Sequence, residues 1–122
     1  MSKKILLVED EEILAEMYQE KLTQSGFEVV LAGDAEEGFD LAKREKPDLV
    51  ILDILLPKGD GISFLENLRN DSETAKISVV ALSNYSGGEI KERAFKLGVL
   101  DYLLKTDYTP QELIDKIKTF IR

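Results

Sequence analysis

Neither cysteine nor histidine occurs anywhere in the 122 residues. Their absence removes disulfides, thiol nucleophiles, imidazole bases and the ligands that zinc normally requires. Any chemistry must therefore run on carboxylates, hydroxyls, amines and a hard, oxygen-seeking metal. A chain without thiols also suits a reducing cytoplasm, which is the expected location. Positive charge is scarce too, with 16 Lys and Arg against 24 Asp and Glu and a formal charge of −8. That balance disfavours direct contact with nucleic acid or an anionic membrane and favours a cation as guest. Long hydrophobic runs are missing as well. The run after Lys3 and Lys4 stops at Glu9 and Asp10 after four residues, short of a signal-peptide core, and no stretch approaches the roughly 20 apolar residues of a membrane span.

What is present describes one globular unit. The length suits a single compact domain, expected to occupy residues 1–122 with no output domain, and 43% hydrophobic against 33% charged residues supports a core and a solvated surface. Five short apolar runs, at 5–8, 27–31, 49–52, 77–82 and 99–104, are spaced as βαβ units require. The first, third and fourth are almost continuously apolar, the pattern of parallel strands covered on both faces. Between them lie helical spacings such as Ile13, Leu14, Met17, Tyr18 and Leu22, and Leu113, Ile114, Ile117 and Ile121. Asp34 with Glu37, Ser86 with Glu89, and Thr109-Pro110-Gln111-Glu112 read as helix starts, while Gly26 and Gly98 read as helix stops. Strict alternation of strand and helix predicts an α/β fold: a three-layer, doubly wound open parallel sheet of five strands with five helices on its two faces.

Parallel strands deliver their carboxyl ends to one edge, so the residues just past each apolar run should be neighbours. They are Glu9, Asp10, Glu11 and Glu12, then Asp53, then Ser83 and Asn84, then Lys105. Carboxylates brought within about 4 to 5 Å repel by roughly 3 to 4 kcal/mol per pair at an effective dielectric near 20. Either one stays protonated or a divalent cation sits among them. With no His or Cys, Mg²⁺ is the favoured ion.

At these residues the chain resembles a known family. The segment Ile5-Leu6-Leu7-Val8-Glu9-Asp10-Glu11, the stretch Leu52-Asp53-Ile54-Leu55-Leu56-Pro57 followed by Asp60-Gly61, Ser83 after a hydrophobic strand, and Asp101-Tyr102-Leu103-Leu104-Lys105 resemble the response-regulator receiver domains of two-component signalling. The resemblance implies a flavodoxin-like sheet in the order 2-1-3-4-5, and a chemotaxis receiver is itself a standard instance of that rule. It implies that Asp53 is the phosphoacceptor, that Asp10, Asp53 and the Leu55 backbone carbonyl ligate Mg²⁺, and that Glu9 belongs to the same pocket. Ser83 and Lys105 would bind phosphoryl oxygens. Ser83 and Tyr102 would form the switch, with Tyr102 turning inward and altering the face of the fourth helix, fifth strand and fifth helix. Leu55 and Tyr85 occupy positions that tune hydrolysis in the family; apolar and bulky, they imply a phosphoryl lifetime of minutes or longer.

The implied partners are a histidine kinase or phosphotransfer protein and a downstream protein target or output domain. Charges at Lys91, Arg93, Asp101 and Asp115 could support a weak homodimer, although Asp101 and Asp115 could equally repel. The implied role is a phosphoacceptor switch rather than an enzyme with external turnover. Two family features differ: Thr106 follows Lys105 where proline is usual, and Leu56 stands where methionine is frequent. The first difference leaves open, as the alternative function, a degenerate receiver that binds partners without phosphorylation. A metal-dependent phosphatase would want Asp at position 55, and a flavodoxin-like nucleotide carrier would want a Gly/Ser/Thr loop after the first strand rather than four acids.

Overall fold

In the computed structural model the described residues are 2–56, 61–86 and 88–121. The order of elements is β1 (Lys4–Val8), α1 (Glu12–Gln24), β2 (Glu28–Ala32), α2 (Ala35–Glu45), β3 (Leu49–Asp53), α3 (Gly61–Asn70), β4 (Ser78–Ser83), α4 (Gly88–Lys96), β5 (Asp101–Leu104), a 3₁₀ turn (Lys105–Asp107) and α5 (Pro110–Lys118). All strand pairs are parallel and the sheet order is β2-β1-β3-β4-β5, as the alternation and the resemblance lead one to expect.

The unbroken apolar runs are sorted by the pleat, because successive side chains point to opposite faces. Ile5, Leu7, Leu49, Ile51, Val80, Leu82 and Leu103 pack against Ala15, Tyr18 and Leu22 of α1 and Leu113, Ile114 and Ile117 of α5. Leu6, Val8, Val50, Leu52, Val79, Ala81 and Tyr102 pack on the other side with residues of α2, α3 and α4. A strand covered on both faces needs no alternation in sequence, and β1, β3 and β4 have none.

Local signals act as their chemistry requires. Asp34 Oδ1 accepts from the Glu37 N–H at 2.8 Å, and Thr109 with Glu112 closes a reciprocal capping box ahead of α5. Gly26 and Gly98 adopt φ of +98° and +83° where helices end. The Ser86–Glu89 start adjoins residue 87, and Pro57 and Asp60 of the loop motif likewise lie outside the described residues.

Some boundaries differ from expectation. β2 runs one residue later than 27–31. Ile77 and Val99 lie outside β4 and β5 because their N–H groups close turns on Thr74 and Ala94 instead of joining the ladder. Ile13, expected on the buried stripe of α1, is 85% exposed. The buried residues are Ala15, Tyr18 and Leu22, three to four apart, and Ile13 stands about 200° around the helix from Ala15.

Candidate functional site

Parity places the charged residues. Glu9 continues the β1 phase of Ile5 and Leu7, Asp53 that of Leu49 and Ile51, and Lys105 that of Leu103, all toward the α1/α5 side. Because β1 and β3 are adjacent in register, with Val8 beside Leu52, the next residues, Glu9 and Asp53, come together at the strand ends. One oxygen each from Glu9, Asp10 and Asp53 fall within 4.8 Å of one another. Lys105 Nζ lies 2.7 Å from Glu9 Oε1 and 3.3 Å from Asp53 Oδ2. Glu9 and Asp53 are buried, whereas Asp10 is exposed.

The electrostatics are unbalanced by construction, with two buried carboxylates sharing one ammonium. Burial pushes the Glu9 carboxyl up, but its hydrogen bond to Lys105, that ammonium's charge and the Glu11 N–H outweigh burial and hold it below its ordinary value. Burial depresses the Lys105 ammonium, and Glu9 and Asp53 together more than reverse this. Asp53 is left under-compensated: burial and the adjacent Glu9 push it up to about 6 against the pull of Lys105 and of the Leu55 N–H, which donates to Asp53 Oδ1 at 3.2 Å.

The donor set fits a hard divalent cation. Three oxygens converge, at least one carboxylate lacks its counter-charge, and the sequence has neither Cys nor His. A cleft of about 310 Å³ opens beside Glu9 and Asp10 and carries the further acids Glu12, Glu16 and Glu37, which raise the local cation concentration.

The imbalance has a measurable cost in metal-free protein. An acid whose pKa is higher folded than unfolded binds more protons in the native state, so stability falls as pH rises. The loss contributed by Asp53 develops between its ordinary value of 3.8 and its folded value of about 6 and is complete above that. Asp53→Asn in chelator should therefore stabilise the fold near pH 7 by about 1 to 2 kcal/mol, allowing for solvent at the open side of the pocket. The gain should vanish near pH 4. Urea denaturation at the two pH values checks this, and equal stabilities at pH 7 would contradict it.

Ser83 and Tyr102 have the opposite parity and face the α2/α3/α4 side. Ser83 is fully buried, and its Oγ accepts the Tyr85 N–H at 2.9 Å, a local turn that fixes the start of the β4–α4 loop. Tyr102 lies inward, 6% exposed, and its hydroxyl donates to the Tyr85 carbonyl at 2.8 Å. Ser83, Tyr85 and Tyr102 are thus linked through one backbone segment. The described conformation is the inward one that the resemblance assigned to the switched state. Leu55 and Tyr85 are 45% and 52% exposed.

Thr106 does not prevent Lys105 from reaching the acids. Among the described residues no peptide bond is cis, and the 3₁₀ turn at Lys105–Asp107 directs the ammonium into the pocket.

Three residues have structural roles that the sequence reading did not assign. Gly61 approaches the Ile54 backbone just past Asp53, Tyr18 of α1 lies within the field of Glu9, Asp53 and Lys105, and Arg69 ends α3 on four backbone carbonyls. Only Gly61, opening a helix, carried a usable signal.

Comparison with known proteins bears on the family and the fold. The sequence matches the family model described as "Response regulator receiver domain" over residues 5–118. It is 38% identical over 122 residues to the phosphate regulon transcriptional regulatory protein PhoB of Escherichia coli, covering 100% of this chain and 53% of that protein. It is 36% identical to the alkaline phosphatase synthesis transcriptional regulatory protein PhoP of Bacillus subtilis, covering 100% and 50%. The chain thus spans about half the length of these curated relatives. Among solved structures, chemotaxis protein CheY4 of Vibrio cholerae superposes with a TM-score of 0.90 at 24% identity, covering 99% of this chain and 100% of that one, a likeness of fold. The BeF3-activated N-terminal receiver domain of RstA from Klebsiella pneumoniae superposes with a TM-score of 0.85 at 29% identity, covering 98% and 99%.

Proposed function

Because the chain belongs to the response regulator receiver domain family, we propose that it is a phosphorylation switch whose acceptor is Asp53. The observation that supports this reading best is the meeting of Glu9, Asp10 and Asp53 at one sheet edge with Lys105 bonded to two of them. Glu9, Asp10, Asp53 and the Leu55 carbonyl would hold Mg²⁺, which when bound supplies positive charge beside the transferring phosphoryl oxygens.

The chain's own residues do the rest. As a carboxylate, Asp53 attacks the phosphorus of a phosphohistidine donor. The new O–P bond forms as the N–P bond breaks, and the departing imidazole keeps the electron pair and takes a proton. Transfer of this kind passes through a loose transition state, so positioning and charge neutralisation dominate. Lys105, already 3.3 Å from Asp53, neutralises one phosphoryl oxygen, and the Ser83 hydroxyl rotates from its turn to donate to another. Since Ser83 Oγ holds the Tyr85 N–H, and Tyr102 holds the Tyr85 carbonyl, that rotation alters the segment leading to α4. A histidine kinase or phosphotransfer protein supplies the donor, and the altered face meets a downstream protein or output domain.

Intact-mass analysis after incubation with Mg²⁺ and acetyl phosphate tests the reading. One phosphoryl mass should be gained by the native chain and by none of the Asp53→Asn protein. An unmodified native chain under these conditions, or an adduct that survives the substitution, would overturn it. The partner-binding alternative without phosphorylation rests on Thr106, whereas the reach of Lys105 to Glu9 and Asp53 supports the acceptor reading.

Leu55 and Tyr85 stand half-exposed close to Asp53 and Ser83, where their bulk hinders an attacking water. The adduct should accordingly persist for minutes, and Tyr85→Ala should shorten its life several-fold. Decay within seconds in the native chain, followed by loss of label over time, would contradict that role.

A further inference from the structure

Among the described residues, the contacts that fasten α4 gather at one end. Of its nine residues only Ala94 is buried, with Ile90 half-buried, so it has the thinnest apolar anchor of the five α-helices. Its middle has two exposed ties, Arg93 to Glu66 at 3.9 Å and the Lys91 ammonium 5.9 Å from the Tyr102 ring, and contacts of this kind contribute little. The first residue, Gly88, has φ +36°, and a Cβ there would meet nothing within 4 Å.

The other end is fastened from outside the helix. Arg69, at the end of α3, donates from Nε to the Leu97 carbonyl at 2.7 Å and from one terminal nitrogen to the Gly98 carbonyl at 3.4 Å. Its second terminal nitrogen donates to the carbonyls of Ala75 at 3.0 Å and Ile77 at 2.7 Å, just ahead of β4. Among the described residues Arg69 forms no ion pair, so this half-buried cation is spent on main-chain oxygens. A guanidinium is the one side chain with enough rigidly placed donors to join three segments in this way. The same end is closed by the N–H groups of Leu97, Gly98 and Val99 on the last turn of α4.

The geometry points to Arg69 as a positioning residue that makes the carboxyl end of α4 a fixed pivot, leaving the Gly88 end free to swing. A helix nine residues long spans about 13 Å, so a rotation of a few degrees about Arg69 displaces mainly the end that follows Ser83 and Tyr85. The helix would then transmit a change at the β4–α4 loop as a tilt rather than a translation. The pivot itself does not depend on the proposed function, whereas its use by the pocket does.

Residue-resolved amide exchange on the full chain tests the pivot. Both ends must be compared at amides that are hydrogen-bonded within the helix, Glu92 and Arg93 against Lys96 to Val99. The second group should exchange at least tenfold more slowly in the native protein. Arg69→Met should close that gap while β1 and β3 amides stay protected, and Arg69→Lys, which keeps charge but loses the fork, should close most of it. Equal exchange at the two ends of native α4, or a gap that survives both substitutions, overturns the pivot. Should Arg69→Met unfold, the native gradient and the lysine variant still decide. Addition of Mg²⁺ with beryllium fluoride should then speed exchange at Glu92 and Arg93 only. Failure to form that adduct would count against the acceptor reading and leave the exchange gradient standing.

Discussion

Gly61→Ala is expected to cost about 3 kcal/mol, lowering the melting temperature by roughly 10 °C in a domain of this size. A Cβ at Gly61 would lie 2.7 Å from Ile54 Cα and 2.8 Å from its carbonyl oxygen. That oxygen also accepts the Gly61 N–H at 2.8 Å, and the Ile54 N–H is itself bonded to Leu82. Neither backbone can retreat without breaking the exit of β3 from the sheet. A flexible side chain would give way at little cost, but a main chain pinned on both sides does not. The damage should extend to function, because Ile54 directly follows Asp53, and acceptor activity should fall even at temperatures where the variant is folded. Gly26→Ala is the control: φ is +98° there, but nothing lies within 4 Å of a Cβ, so only the backbone strain of about 1 kcal/mol is expected. Thermal denaturation of the two variants checks the contrast, and equal losses would show that the close approach to Ile54 has no special cost.

Lys105→Met should slow phosphoryl transfer to Asp53 by about a hundredfold or more, the usual effect of removing one preorganised charge from a transition state. The same substitution should tighten Mg²⁺ binding, by about tenfold, because a positive charge 2.7 Å from Glu9 and 3.3 Å from Asp53 is taken away from the oxygens that would hold the ion. These opposite signs make the test specific. A general distortion of the pocket would weaken metal binding and transfer together, whereas loss of the ammonium alone separates them. In metal-free protein the variant leaves Glu9 and Asp53 buried side by side without a counter-charge, so it should also be less stable than the native chain at neutral pH and recover as Mg²⁺ is added. Calorimetric titration with Mg²⁺ and the rate of adduct formation from acetyl phosphate read the two effects. Undiminished transfer would remove Lys105 from the proposed machinery.

The class of fold, the set of strands and the acids at the strand ends were legible in the sequence, because each rests on a short-range regularity. A continuous apolar run of five residues in a β/α alternation buries both faces, and a parallel sheet brings the ends of its strands to one edge whatever the loops do. The caps at Asp34 and Thr109 were legible for the same reason, since donor and acceptor lie three residues apart.

Other features were decided only when the layers packed. The face of α1 that is buried was misjudged at Ile13, since an apolar residue next to a stripe reads like a member of it until the sheet selects the side. The inward position of Tyr102 and the reach of Lys105 past Thr106 depend on partners 17 and 96 residues away. Arg69 looked like any arginine at the end of a helix, because main-chain carbonyls from two distant segments leave no mark on composition or spacing. What the sequence determined by itself were the periodicities and the identities of the charges. Which of those charges became paired and which was left wanting a counter-ion was decided by the tertiary structure, because burial and distance set electrostatic energy and neither exists before the chain is folded.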